Sequence, residues 1–128
     1  MDEREYEYII RTTIGYRCLD RKMKKEYVEC RVTVTEAFEL NWYPGFCKAV
    51  FLDTEGKEHI ITDKLPVIGL EDEEVEYLPL QKSIRVKVVK DMGDTAEIDI
   101  SEPDGLEDSE ELTRFVVSKE LLFCVEAE

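Results

Sequence analysis

The sequence lacks most of the features that tie a small protein to a known chemistry. It has one histidine, one tryptophan, four prolines and four cysteines in 128 residues. The cysteines form no Cys-x-x-Cys pair and no other paired metal-ligand spacing, which disfavours a zinc-binding fold. A phosphate-binding glycine loop and a Gly-x-Ser-x-Gly elbow are also missing. An enzymatic function therefore has no motif to support it.

Long apolar runs are absent as well. No stretch is long enough to span a bilayer, and the opening MDEREYEYII has no basic segment followed by an apolar run, so we expect neither membrane insertion nor a secretory signal. We then expect four free, mostly buried thiols in a reducing cytoplasm. Zinc held by scattered cysteines is the less favoured alternative. The cysteines are Cys18, Cys30, Cys47 and Cys124.

Basic residues are few, at 17 Lys and Arg against 31 Asp and Glu, which gives a net charge of −14. Such a surface repels phosphate groups, so we expect no direct binding to nucleic acid. It attracts a basic protein over about one Debye length, roughly 8 Å at physiological salt. The plainer explanation is that acidity keeps a small cytoplasmic protein soluble.

What the sequence does contain is a succession of strand patterns. The length and a hydrophobic content of 43% fit one domain, residues 1–128, with a core of its own. Apolar and polar residues alternate with a period of two in several stretches, as in half-buried strands. We predict an all-β, mainly antiparallel fold: a small closed or partly open β-barrel of about six to eight strands. The acidic stretch 70–77 is either one short helix or a solvated loop.

The stretch 42–67 holds the only Trp and the only His, and we expect it to organise the fold. It predicts two strands, 45–52 and 57–64, joined by the turn 53–56, whose Asp and Gly favour a tight reversal. Neither face of the first of these strands is clearly polar. We therefore place that strand near the centre of the sheet.

Further strands are predicted on either side of this hairpin. Residues 27–38 alternate and are expected to pair with 5–18 across a basic turn. Residues 113–118 form another strand, and the tail after it docks as a last strand or a single helical turn. Pro66 is expected to hold Leu65 extended, because proline disfavours helical backbone in the residue before it.

The stretch 83–101 predicts a hairpin with a definite register. Pairing Lys90 with Asp94 places apolar side chains opposite one another on one face. On the other face the same register places Lys87 opposite Glu97. A slip of one residue would break both patterns.

Aromatic and acidic side chains are the candidates for binding. Trp42 and Tyr43 lie at a strand entry, where a barrel presents its rim, and such residues dominate many interfaces. The favoured alternative is that Trp42 plugs the end of the barrel. The full set of candidate binding residues is Trp42, Tyr43, His59, Lys64, Asp72, Glu73, Asp104, Glu107 and Asp108.

Catalytic, metal and cofactor sites are not predicted. A lone histidine on a strand, such as His59, is more often packed than catalytic. The acidic stretches lack the alternating oxygen ligands of a calcium loop, although a weak divalent-ion site in 102–111 is an alternative.

One run of residues resembles a loose group of small bacterial proteins of unknown function. Their shared pattern is Trp-x-x-Gly-Phe, then Asp-x-x-Gly, a His and Lys-x-Pro-Val, followed later by Pro-x-Gly and Thr-x-Phe-x-Val. The resemblance implies a small β-rich fold and no established activity; some acidic bacterial proteins of this kind are immunity proteins that neutralise a toxin. The matching residues are Trp42, Gly45, Phe46, Asp53, Gly56, His59, Lys64, Pro66, Val67, Pro103, Gly105, Thr113, Phe115 and Val117.

Two functions follow as hypotheses. The favoured one is a non-catalytic module that captures a basic protein through the acidic stretches 71–76 and 102–111, as an immunity protein or a nucleic-acid mimic would. The other is a small-ligand-binding or enzymatic barrel with Trp42, His59 and Lys64 near its mouth.

Overall fold

A computed structural model describes residues 26–124. In this part of the chain seven strands form one antiparallel sheet that curls into a half-barrel, which confirms the predicted fold class. The predicted strand 5–18 and its basic turn lie outside the described residues. The strands are β1 (Tyr27–Phe38), β2 (Phe46–Leu52), β3 (Glu58–Lys64), β4 (Leu80–Asp91), β5 (Thr95–Asp99), β6 (Arg114–Ser118) and β7 (Leu122–Phe123).

β1 organises the sheet, because it pairs with three other strands: β2, β4 and β7. The strand order is β3-β2-β1-β4-β5-β6, with β7 paired to β1 beside this path. The prediction that β2 lies near the centre and organises the fold was wrong. In the sheet order of residues 26–124, β2 lies next to the edge strand β3. Its second face is accordingly only half-buried at Val50 and exposed at Leu52.

The hairpin of β2 and β3 forms as predicted. All seven residues of β2 pair with those of β3, from Phe46 opposite Lys64 to Leu52 opposite Glu58. In the turn Gly56 has a φ of +82°, and the Asp53 carboxylate accepts backbone hydrogen bonds within the turn. The residue types favour this turn because glycine adopts a positive φ without strain.

The chain after β3 differs from the prediction. Leu65 is not extended but begins the short helix α1 (Leu65–Ile68), in whose first turn Pro66 lies. Proline is well accommodated there, because a first-turn N–H has no partner within the helix. A 3-10 helix then spans Asp72–Tyr77, within the stretch predicted as a short helix or a loop.

The hairpin of β4 and β5 forms with a register two residues away from the predicted one. Lys87 lies opposite Asp99, and a bulge between Val88 and Lys90 changes the pairing towards the tip. A shift of two residues keeps each side chain on its own face, so the predicted inner face is buried all the same. The buried residues are Ile84, Val86, Ala96, Ile98 and Ile100.

The predicted charge pair of Lys87 with Glu97 is replaced by others. Lys87 lies 3.3 Å from Glu26, and Arg114 of β6 lies 3.6 Å from Asp99. The loop between the two strands comprises residues 92–94, and in it the Asp91 carboxylate accepts the N–H of Gly93.

The second 3-10 helix, Lys119–Leu121, leads into β7, so the tail contains both a helical turn and a strand. Cys124 follows β7 and is disulfide-bonded, whereas Cys30 and Cys47 are free and buried. The expectation of four free thiols was therefore wrong. The disulfide also removes the cysteine argument for a reducing cytoplasm. None of the helices in residues 26–124 is long and apolar enough to cross a membrane.

The two free thiols should be inert in the folded protein. Burial raises the pKa of Cys30 to about 12 and that of Cys47 to about 11, so little thiolate forms at mildly alkaline pH. We expect an aromatic disulfide reagent to label neither cysteine in native protein and both in denaturant. Rapid native labelling of either residue, located by mass spectrometry of peptides, would contradict the buried positions.

Candidate functional site

The His59 side chain is turned into the protein, with 4% of its surface exposed. Its Nδ1 lies 3.0 Å from Oδ2 of Asp108, and its Nε2 lies 2.8 Å from Oδ2 of Asp53. An ionised carboxylate can only accept hydrogen bonds, so both bonds form together only when both ring nitrogens carry a hydrogen. We name these three residues the His59 clasp.

Each aspartate of the clasp also organises the loop in which it lies. Oδ1 of Asp53 accepts the N–H groups of Glu55 and Lys57 in the β2–β3 turn, at 2.8 and 3.0 Å. Oδ1 of Asp108 accepts those of Glu110 and Leu112 in the β5–β6 loop, at 2.9 and 2.8 Å. One oxygen of each carboxylate thus holds its own loop while the other bonds to His59.

The clasp joins two parts of the chain that are far apart in the sheet order. Around it, the Ser109 N–H donates to the Ile60 carbonyl at 2.8 Å, and the Thr54 N–H donates to the Val116 carbonyl at 3.0 Å. Ile61 also forms an isolated bridge with Asp108. The β5–β6 loop is therefore anchored on β3.

Two phenylalanines surround the clasp on its inner side. The Phe115 and His59 ring centroids lie 4.3 Å apart, the Phe51 and His59 centroids 5.4 Å apart, and the two phenylalanines meet edge to face. These rings keep water away from the ring nitrogens. In such a low-dielectric environment the charged hydrogen bonds are stronger, and an unpaired charge is more costly.

Both aspartates of the clasp are held ionised. The hydrogen bond from His59 is the largest influence on Asp53 and lowers its pKa below the ordinary 3.8. For Asp108, burial raises the pKa, but the backbone N–H groups of Leu112 and Glu110 and the His59 ring together lower it below 3.8. Each carboxylate is consequently an acceptor at neutral pH.

This arrangement suits a structural crosslink better than a catalytic centre. A general base needs a free lone pair within reach of a substrate proton. The two ring nitrogens of His59 are engaged with carboxylates, and the ring is buried. Among residues 26–124 no group of three or more His, Cys, Asp or Glu is placed to hold a metal ion.

The residues predicted at the barrel mouth are not brought together. Lys64 lies beside the loop that carries Trp42, since it pairs with Phe46 at the start of β2. His59 is five residues away along β3, about 16 Å at the usual rise per residue. Trp42 and Lys64 thus lie near one end of β3, and His59 lies near the other end.

A groove of about 300 Å³ opens beside the point where β2 parts from β1. Its lining includes neither His59 nor the other residues predicted at the mouth. The lining residues are Arg31, Val32, Thr33, Val50, Phe51, Leu52, Glu58, Gln81 and Leu121.

The β1–β2 loop presents its aromatic residues to solvent. Trp42 is 74% exposed and Tyr43 is 94% exposed, so the favoured expectation that Trp42 plugs the barrel end was wrong. A plug would need an open barrel end beneath it. Here Leu65 and Leu40 lie against Gly45 at the base of the loop instead.

The predicted acidic residues divide into exposed and buried ones. Asp72 and Glu73 are exposed on the first 3-10 helix, where Glu71 and Glu74 form a reciprocal capping box. Asp104 and Glu107 are exposed in the β5–β6 loop. Asp108, predicted to face a partner, is 5% exposed and belongs to the clasp.

Sequence reasoning identified His59 and Asp108 separately and missed Asp53 as their third member. Asp53 was recognised only as a turn residue. His59 and Asp108 are 49 positions apart, so no local spacing could indicate their contact. The one available signal was an Asp-x-x-Gly turn whose Asp precedes the histidine of the next strand by six positions.

The chain was compared with protein-family models, curated proteins and solved structures, and none of the three comparisons found a match. The resemblance to small bacterial proteins consequently stays a prediction.

Replacing His59 with Phe should destabilise the protein strongly. The ring volume is nearly kept, but the hydrogen bonds of both ring nitrogens are lost, and Asp108 remains buried with one hydrogen-bond partner fewer. We expect the free energy of unfolding to fall by about 2–4 kcal/mol in urea titrations. The exposed neighbour Glu58→Gln is the control and should change it by less than about 0.5 kcal/mol. Equal stability of the two variants would contradict a crosslinking role.

The clasp also predicts how stability depends on pH. Because the pKa values of Asp53 and Asp108 are lower in the folded protein than the ordinary 3.8, the unfolded chain binds protons first as the pH falls. Their contribution is complete above pH 3.8 and is lost as the pH falls through the folded values. Asp108→Asn should be less stable at neutral pH and show a shallower acid dependence. Parallel curves for the variant and the parent would contradict this.

Proposed function

We propose that the protein is a non-catalytic binding module that captures a basic protein. The observation that carries the proposal is a set of exposed carboxylates that have no ion-pair partner among residues 26–124. They lie on the first 3-10 helix and in the β5–β6 loop. The residues are Asp72, Glu73, Glu76, Asp104, Glu107 and Glu111.

The scaffold beneath these acids supports the proposal. The capping box of Glu71 and Glu74, together with the 2.8 Å ion pair between Glu74 and Lys82, holds the 3-10 helix. The His59 clasp holds the β5–β6 loop. Acids displayed on preformed segments lose less conformational entropy on binding than acids on a free tail.

The net charge of −14 favours a basic partner over the other common classes. Nucleic acids and anionic membrane surfaces would both be repelled. Electrostatic complementarity chiefly accelerates association, so the capture should be fast and should weaken with salt. A cationic toxin or a nucleic-acid-binding enzyme is the kind of protein that such a module would neutralise.

The engagement of both His59 nitrogens favours this proposal over an enzymatic barrel. The groove beside β2 does not include the histidine either. A binding role requires only the exposed surface and the scaffold, and both are present.

Charge removal tests the proposal. The immobilised protein is exposed to a lysate of the source organism at low salt, and the proteins that it retains are identified and purified. Their association rates and affinities are then measured at several salt concentrations. Each of two triple variants should slow the association of this partner by roughly ten-fold. A control in which three other acids are neutralised should slow it by less than about three-fold. The two variants are Asp72→Asn/Glu73→Gln/Glu76→Gln and Asp104→Asn/Glu107→Gln/Glu111→Gln; the control is Glu55→Gln/Glu58→Gln/Asp94→Asn.

Recovery of no basic protein would contradict the proposal. So would a partner whose association rate is the same for both triple variants and the parent protein.

A further inference from the structure

The loop between β1 and β2 carries a group of exposed apolar side chains, which we name the aromatic knuckle. It comprises Leu40, Trp42 and Tyr43, which are 50%, 74% and 94% exposed. Below them Phe38 and Phe46 stack at 5.9 Å and close the end of the hairpin. Exposed Trp and Tyr side chains next to one another are typical of interface hot spots.

The knuckle is held in a defined shape. The Trp42 N–H donates to the Glu39 carbonyl at 3.1 Å, and the Gly45 N–H donates to the Trp42 carbonyl at 2.7 Å. Leu65 then fastens the loop to α1, because its N–H donates to the Gly45 carbonyl at 3.2 Å. Gly45 has a φ of +80°, and a Cβ there would lie 3.1 Å from Leu40. The aromatic rings are therefore displayed on a preformed backbone, which reduces the entropy lost on binding.

The charge of the molecule selects among the possible occupants of the knuckle. A second copy would bring two bodies of charge −14 together, and an anionic membrane would be repelled in the same way. A cationic protein is attracted. Glu39 adds an exposed carboxylate within the loop itself, with no ion-pair partner among the described residues.

Aromatic rings already hold cations in this protein. The Arg31 guanidinium lies over the Phe123 ring at 4.7 Å, and the Lys48 ammonium lies over the Phe38 ring at 5.9 Å. Trp and Tyr faces attract cations at least as well as Phe. Arginine is the better fit for an open aromatic face, because its planar guanidinium stacks and is more weakly hydrated than an ammonium group.

We propose that the aromatic knuckle is the point at which arginine side chains of a basic protein dock, with Trp42 and Tyr43 as stacking faces. This inference rests on the proposed function, since it names the part of the surface that contacts the captured partner. The acidic segments supply long-range attraction, and the knuckle supplies contact that persists at higher salt.

Trp42 is the only tryptophan, so its fluorescence reports on the knuckle alone. The probes are two peptides of equal length and charge, one alternating Arg with Gly and the other alternating Lys with Gly. We expect the Arg peptide to change the Trp42 emission and to bind more tightly. By calorimetry, Trp42→Ala/Tyr43→Ala should weaken Arg-peptide binding by roughly 5- to 30-fold.

The matched control is Met92→Ala, which removes an exposed apolar side chain outside the knuckle and outside both acidic segments. It should change the affinity by less than about two-fold. Equal weakening by the control and the double variant would overturn the inference, and so would equal affinity for the two peptides. A Trp42 emission change with phosphatidylserine vesicles, or self-association lost in Trp42→Ala, would assign the knuckle to another occupant.

The two proposals can fail separately. If the acidic triple variants weaken binding and the knuckle variant does not, the knuckle inference is wrong and the binding function stands. If neither peptide nor any basic protein binds at low salt, both are wrong.

Discussion

One imidazole ring between two carboxylates ties together the open side of this curled sheet. Among residues 26–124 the sheet order β3-β2-β1-β4-β5-β6 ends at β3 on one side and at β6 on the other. Unpaired edges invite association with other chains. The His59 clasp brings the β5–β6 loop onto β3, and the backbone hydrogen bond from Thr54 to Val116 adds the β2–β3 turn to β6. In the part of the chain that the structure describes, side chains and loops thus join the two sides of the half-barrel without a continuous ladder of strand pairing.

The clasp is stable because each of its three side chains makes more than one hydrogen bond. Asp53 and Asp108 both accept two backbone N–H groups, and the remaining oxygen of each faces a ring nitrogen. Phe51 and Phe115 exclude water from the ring. A buried charge in this setting is tolerable only while all its partners remain, so the three residues act as one unit. The loop that bears Glu107 and Glu111 depends on that unit for its shape.

Local patterns in the sequence were sufficient for the strands and insufficient for their long-range contacts. Residues 27–38 were predicted as a strand and form β1 with the same limits, because period-two alternation depends on neighbours alone. The β4–β5 register was missed because Asp91 pairs with Ala96 at the tip, where Lys90 was expected to pair with Asp94, and because the bulge after Val88 leaves no mark on the alternation. The helix at Leu65 was missed because proline was treated as ending regular structure, although it is well suited to a first helical turn. The clasp joins positions that no spacing rule connects.

The most direct test of this account is nitrogen-15 NMR of the single histidine at neutral pH. The account predicts that hydrogen on the His59 ring exchanges slowly with water, because the ring is buried and each nitrogen lies against a carboxylate. Ring hydrogen that exchanges as fast as that of a free imidazole would contradict the clasp as the interaction that joins the two sides of the half-barrel.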